Sequence, residues 1–373
     1  MEEAEIGIVG AGMAGTLLAL ALLEEGYGGE NLVLIDGGDE SAGSMAPATM
    51  LHAFVGRSMK LKRGQGEYFL RSFDFLRALA RRSQGKGSST WWTERPMFRL
   101  IDEGPRGERL AQSYEEEKNT FPKEMSVIRR EYRGREGLEY TPAAGVSTQV
   151  MLEVLQAELR SRGVEVLRGR KVREIQEGEQ SVVLHFEAAR SLAVKKVVLA
   201  MGAWLKAWFP QLDLRTRGGE LLLLRPPAGA DLSMMINGEK HVFARADGLW
   251  GLGSTYFSEE EWDARDPEEA SEELISGLES FLPELREARA VELWRGRRGV
   301  FGSDHLPLVG VLPERKRVFL FGSFGSKGLL HSPAMAQDLA KALRTGDPKW
   351  VAAEVRPSRV KANRFVAPLC RLG

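Results

Sequence analysis

The sequence predicts an α/β protein, on three observations. An apolar stretch from Ala4 to Val9 runs into Gly10-Ala11-Gly12-Met13-Ala14-Gly15 and then into an apolar run from Ala14 to Glu25. A further apolar stretch from Asn31 to Ile35 ends at Asp36. Far along the chain, Val318 to Phe321 breaks into a second glycine-rich loop, Gly322 to Leu330, ahead of another apolar run. Strand, loop, helix, strand and terminal acid in that order make a βαβ unit of Rossmann-like type.

Each residue of the first loop has a physical task. Gly10 makes the tight turn, Gly12 lets the backbone approach a pyrophosphate, and Gly15 lets helix and strand pack closely. Met13 and Ala14 open the helix, whose unbonded N–H groups and positive dipole end suit phosphates. Asp36, with Gly37 beside it, is placed to accept hydrogen bonds from ribose hydroxyls. The loop by itself fits FAD, NAD(P) or, third, a methyltransferase loop. Residues Ile6 to Leu23 are free of charge over 18 positions, the pattern of a membrane span or a leader. The acidic start Glu2-Glu3-Ala4-Glu5 and the glycines within the run argue against both, so no membrane partner and a cytoplasmic location are expected.

Composition narrows the classes. With 373 residues, 43% apolar and 28% charged, the chain has the profile of an ordinary globular protein and enough length for two domains. Lys+Arg and Asp+Glu each number 52, so general steering toward nucleic acid or anionic membranes is disfavoured. The single cysteine, Cys370, excludes an internal disulfide, and the five histidines show no metal-ligand spacing, so no metal is expected. Glycine, 41 residues, exceeds its usual share of about 7%.

Later segments choose among the dinucleotides. Lys195 to Ala200 reads as a strand opening onto Ala200-Met201-Gly202-Ala203-Trp204. Ser147 is placed to cap a helix over Thr148 to Arg162, Gly163 ends it, a strand follows to Leu167, and Val172 lies in another. Ser332-Pro333 predicts an N-cap and a first-turn proline for a helix reaching about Leu343. A second glycine loop leading to a second helix N-terminus is superfluous for a nicotinamide. It suits a flavin, whose ring gains negative charge on reduction. FAD is the expected cofactor.

These segments carry a family resemblance over nearly the whole chain. Gly7-Ile8-Val9-Gly10-Ala11-Gly12-Met13-Ala14-Gly15, Ala200-Met201-Gly202-Ala203-Trp204, Thr216-Arg217-Gly218-Gly219-Glu220 and Gly251-Leu252-Gly253-Ser254-Thr255-Tyr256 resemble the D-amino-acid-oxidase/glycine-oxidase (DAO) family of FAD enzymes. Asp304-His305-Leu306-Pro307-Leu308-Val309-Gly310 and Gly325-Ser326-Lys327-Gly328-Leu329 are similar to one branch, the oxidase half of MnmC-type bifunctional enzymes that trim a carboxymethylaminomethyl group on tRNA wobble uridine. Two departures from that branch are expected, the absence of a fused methyltransferase half and the shift of an arginine to Arg297-Arg298.

The resemblance implies a Rossmann-like FAD-binding domain built from 1–50, 146–212 and 298–350, with an inserted α+β substrate domain of mainly antiparallel sheet from 51–145 and 213–297, and a tail over 351–373. It places Ser44, Met45 and Ala46 around the flavin, and assigns cofactor contacts also to Val172, Ala200, Gly202, Trp204, Gly325, Ser326, Lys327, Gly328 and Leu329. The residues themselves agree in part: Leu221 to Leu224, His241 to Ala244 and Gly248 to Gly253 read as strands. Arg81 to Pro96 reads as an exposed loop beside Trp91 and Trp92, and Glu259 to Glu273 as an acidic, solvated approach to a helix.

The chemistry such an enzyme needs is hydride transfer from the carbon next to an amine to flavin N5. The protein then anchors the substrate's carboxylate, and arginine does this best because its planar fork binds it in bidentate fashion. Arg298 is the first candidate and Arg297 the second, against a role in surface ion pairs. Tyr256 is a pocket-lining candidate, against plain packing. His52 is open between substrate contact, a covalent flavin link and a satisfied structural histidine. His305 reads as positioning its loop. Three classes follow: an oxidoreductase acting on a small amine such as glycine or an N-substituted glycine; a tRNA-modifying oxidase, with Arg160, Arg162, Arg168, Arg170, Lys171, Arg173 and the Lys349 to Arg371 tail as docking surface; and a non-catalytic FAD-binding protein. Oligomeric state is not legible.

Overall fold

The computed structural model describes residues 4–56, 58–62, 64–83, 90–187, 190–302, 304–365 and 370–372. The chain divides into two compact units, one comprising Met1–Met45, Leu152–Arg217 and Arg297–Gly373, the other Ala46–Met151 and Gly218–Gly296.

In the first unit a central strand, β1 (Ala4–Val9), is followed by helix α1 (Met13–Glu24) and strand β2 (Leu32–Ile35). β1 pairs in parallel with β2, Ile6 against Leu32 and Val9 against Ile35, and on its other side with Ser191–Leu199. The strands Glu165–Leu167 and Val318–Gly322 extend the parallel part. β1 and β2 are buried almost throughout because a parallel sheet carries helices on its faces. The helix α1 buries every residue from Gly15 to Leu23, which explains the charge-free run: it is core, and no helix among the described residues is long and apolar enough to cross a membrane. On one side the sheet continues antiparallel through Val182–Phe186 and Val172–Glu177, and Cys370–Leu372 joins its edge.

Helix Gly328–Thr345 begins five residues before the position that Ser332-Pro333 predicts, and Pro333 lies inside it. The apolar Leu329 and Leu330 are both buried, and their packing outweighs a cap signal that is purely local. Pro333 has no N–H, so it forfeits one helical bond while the burial keeps the helix continuous.

The second unit is built on a mainly antiparallel sheet. Leu221 to Leu224 pairs with Trp250–Gly253, which pairs with His241–Ala244, and Met235–Asn237 pairs in parallel with Met97–Leu100. Phe98, Leu222, Leu224, Trp250, Leu252 and Leu278 make its core. The expected loop from Arg81 to Pro96 is corrected in part. A helix continues through Ser83, residues 84–89 lie outside the described ones, and Trp92–Glu94 is a strand paired with Ala144–Val146. Trp91 and Trp92 are buried edge to face, 5.9 Å between ring centroids, so both serve packing.

Candidate active site

The first glycine loop is shaped from within the first unit. Gly10 has a φ of 110°, a conformation open to glycine, and a Cβ there would collide with the Ala200 carbonyl oxygen. A Cβ on Gly15 would collide with the Gly10 carbonyl oxygen, and one on Gly12 would stand 2.8 Å from Ser44 Oγ. The loop therefore presents bare backbone. The N-cap of α1 is Gly12, which supplies no capping side chain. Instead Ser44 Oγ accepts the Met13 N–H at 3.0 Å, which sets a hydroxyl beside the helix N-terminus. Ala14 is half-buried in that first turn, and Met45 N–H donates to the Ala42 carbonyl at 2.8 Å.

Three residues that the sequence reading did not assign to the cofactor site, among them the docking-surface candidate Arg168, hold this loop from behind. Gln156 Nε2 donates to the Ala11 carbonyl at 2.8 Å, Thr16 Oγ1 donates to the same oxygen at 3.1 Å, and Arg168 Nη2 donates to Gln156 Oε1 at 2.8 Å. These bonds hold the Ala11 carbonyl on the side of Gln156 and Thr16. Asp36 ends β2 half-buried, and its Oδ1 accepts the Gly38 N–H at 3.2 Å. Gly37 lies against the Lys171 side chain. The second loop meets the first: a Cβ on Gly328 would collide with Met13 Cε, so the N-termini of α1 and of Gly328–Thr345 stand together. Gly325, Ser326 and Lys327 form the turn that leads in, and Leu329 is buried behind it. Val172 sits in the hydrophobic core of the unit. Two adjacent helix N-termini around a bare glycine cradle suit a dinucleotide with an anionic ring end.

The segment Arg297 to Val300 is laced against three of these loops. Arg297 N–H donates to the Ser41 carbonyl at 2.7 Å, and a Cβ on Gly43 would stand 2.8 Å from the Arg297 carbonyl oxygen. Gly299 lies on the Gly202–Ala203 turn, just before Trp204, with Gly202 O 2.8 Å from its Cβ position. Val300 bridges to Phe324 and packs on Gly325. Arg298 is half-buried within this segment. Nearby in sequence, Asp304 accepts Arg359 Nε at 3.0 Å, and His305, at a φ of 58°, donates its N–H to the Phe301 carbonyl.

Ala46, His52 and Tyr256 belong to the second unit. Ala46 is buried, its carbonyl accepting Thr148 Oγ1 at 2.5 Å. His52 Nδ1 lies 3.2 Å from Tyr140 Oη. Burial first, then the Arg99 guanidinium and His241, lowers the His52 pKa to about 3, while burial pushes Tyr140 up to about 12. Arg99 itself donates to the carbonyls of Phe54, Gly56 and Ser58. A histidine neutral in the fold but protonatable when unfolded withdraws stability as pH falls from about 6.5 toward 3. The expected loss is about 1.4 kcal/mol per pH unit in that window. Urea unfolding of His52→Gln at pH 4.5 to 7.5 should show a flatter curve than the parent, and parallel curves would remove His52 as the cause.

Several basic residues of the expected docking surface have internal partners. Arg162 lies 3.7 Å from Glu158 and Arg173 3.1 Å from Glu187. In the C-terminal stretch, Arg356 donates to the Val351 carbonyl and Arg364 to the Gln211 carbonyl. Glu259 to Glu273 is exposed over most of its length, as expected, with Arg265 joined to Glu273 at 2.8 Å and reaching the buried Glu220 at 2.8 Å. Among the described residues no cluster of His, Cys, Asp or Glu could hold a metal ion.

Comparison with known proteins agrees with this cradle. Residues 5–342 match the family model of the DAO, FAD dependent oxidoreductase, family. The chain is 27% identical over 349 residues, 93% of its length and 53% of the relative's, to the tRNA 5-methylaminomethyl-2-thiouridine biosynthesis bifunctional protein MnmC of Maricaulis maris. It is 29% identical over 158 residues, 41% of the chain and 43% of the relative, to glycine oxidase of Pseudomonas aeruginosa. The chain thus spans about half the length of the curated relatives it matches. The glycine oxidase structure from Geobacillus kaustophilus superposes with a TM-score of 0.83 at 20% identity, covering 97% of this chain and all of that one. Bare glycine loops, paired helix N-termini and a family match spanning both units together make this chain an FAD dependent oxidoreductase of the DAO family.

Proposed function

We propose that this oxidoreductase acts on the C–N bond of an amine that carries a carboxylate, glycine or an N-substituted glycine. The observation that carries the reading is the position of Arg298, on a segment that lies against the Ser41–Gly43, Gly202–Ala203 and Phe324–Gly325 loops together. Bound FAD supplies the hydride acceptor. The Arg298 guanidinium would take the substrate carboxylate in bidentate fashion and so fix the orientation of the adjacent C–H bond. The C–H electron pair leaves as hydride, the nitrogen lone pair closes a C=N bond, and water hydrolyses the resulting imine. Gly10, Gly12, Met13 and Ser44 would hold the pyrophosphate, Asp36 the ribose, and the Gly328–Thr345 helix N-terminus with Lys327 the anionic end of the ring.

A second reading is favoured by one observation, the match to the bifunctional tRNA-modification protein over 93% of this chain. Removal of a carboxymethyl group from carboxymethylaminomethyl-uridine is the same oxidation of an N-substituted glycine, presented on tRNA. Anaerobic addition of N-alkyl glycines, glycine and D-amino acids to the flavin-loaded protein separates the two. Bleaching of the visible flavin band by a panel member supports the small-amine reading. A band that ignores the panel but bleaches with modified tRNA, in a manner suppressed steeply by salt, supports the second. Failure to bind FAD at all overturns both.

A further inference from the structure

We infer that Glu220 is a positioning residue: its buried carboxylate fixes the excursion from Thr255 to Arg265 and thereby sets where Tyr256 stands. The inference rests on the proposed function and adds to it that Tyr256, the pocket-lining candidate of the sequence, meets the substrate. Glu220 is fully buried, and each carboxylate oxygen is engaged. Oε1 accepts Arg295 Nε at 2.9 Å, with Arg295 Nη2 at 2.8 Å. Oε2 accepts Arg265 Nη2 and Thr255 Oγ1, both at 2.8 Å. The backbone repeats the link, since Glu220 N–H donates to Thr255 Oγ1 at 2.9 Å and Thr255 N–H donates to the Glu220 carbonyl at 3.2 Å.

The two arginines then tie down the rest of the excursion. Arg295 donates to the carbonyls of Trp262 at 3.1 Å and Arg265 at 2.9 Å. Arg265 lies over the Phe257 ring at 5.1 Å and Arg295 over Trp262 at 5.8 Å. Glu273 joins Arg265 at 2.8 Å and Lys240 at 2.6 Å. Thr255 is 1% exposed and Phe257 4%, whereas Tyr256 between them is 63% exposed. A corner anchored on both sides of a single outward aromatic is a device for holding that aromatic. Apolar packing would fill the same volume at lower desolvation cost. What directional bonds from one carboxylate add is geometry, because they fix angle as well as distance.

The test uses the flavin-loaded protein labelled with fluorotyrosine. The chain has six tyrosines, and loss of one fluorine resonance in Tyr256→Ala assigns that residue. Glu220→Gln keeps the shape and removes the charge. It is expected to move the Tyr256 resonance, leave flavin content unchanged and lower kcat/KM for the amine that bleaches the flavin by about 100-fold, the cost of an ångström-scale misplacement. In the Tyr256→Ala background the same substitution should cost almost nothing further. Thr255→Val, which removes one hydroxyl and leaves the ion pairs, should act in the same direction and serves if Glu220→Gln fails to fold. An unmoved resonance, or an equal kinetic cost in both backgrounds, overturns the inference. A moved resonance with Tyr256→Ala kinetically silent overturns the placing of Tyr256 at the substrate, and with it the role of Glu220.

Discussion

Replacing Gly12 by valine is expected to give a folded protein that purifies without flavin. The reason is local. Gly12 has ordinary backbone angles, φ −71° and ψ −169°, so valine introduces no backbone strain there. The obstacle is space: even a bare Cβ would stand 2.8 Å from Ser44 Oγ, the atom that accepts the Met13 N–H. Two further methyl groups would displace Ser44 and fill the path of a pyrophosphate along the N-terminus of α1. Losing two charge-assisted hydrogen bonds of about 1.5–3 kcal/mol each weakens FAD binding by roughly 10² to 10⁴. The ratio of visible to ultraviolet absorbance after gel filtration reports retention, and far-ultraviolet circular dichroism reports the fold. A valine variant that keeps its full flavin complement would remove this loop from the cofactor site.

What was legible in the sequence follows the range of the interactions. The β1–α1–β2 unit was readable because its strand pairing, turn glycines and terminal acid all lie within 36 residues and impose their own patterns of hydrophobicity and glycine. The start of helix Gly328–Thr345 was misplaced because Ser332-Pro333 is a local signal, whereas the burial of Leu329 and Leu330 is decided by neighbours distant in sequence. The loop expected from Arg81 to Pro96 failed for a similar reason: Trp92–Glu94 becomes a strand only through pairing with Ala144–Val146. Glu220 was visible only as the end of a motif. Its partners Thr255, Arg265 and Arg295 lie 35, 45 and 75 residues away, and no periodicity connects them. Gln156, which steadies the first glycine loop from 145 residues away, is hidden in the same way. The arginine pair at 297–298 was readable as chemistry, but its approach to three loops is a property of the folded first unit.

That approach makes Arg298 the residue whose removal should separate substrate recognition from cofactor binding. Arg298→Ala withdraws two charge-assisted bonds from a carboxylate, and kcat/KM for a carboxylate-bearing amine should fall by roughly 10² to 10⁴. Arg298→Lys keeps the charge but replaces a planar fork with a point donor, so its loss should be intermediate. Arg297→Ala is the comparison. The Arg297 backbone N–H bonds to Ser41 whatever the side chain is, so the strand should remain docked, and the loss should be smaller than at Arg298. Flavin content should be unchanged in all three. The decisive control is the same amine lacking its carboxylate, whose slow reduction of the flavin should be equal in parent and Arg298→Ala. Equal losses on both amines would show that Arg298 shapes the loops rather than the substrate, and unchanged kinetics on the carboxylate-bearing amine would remove it from the site.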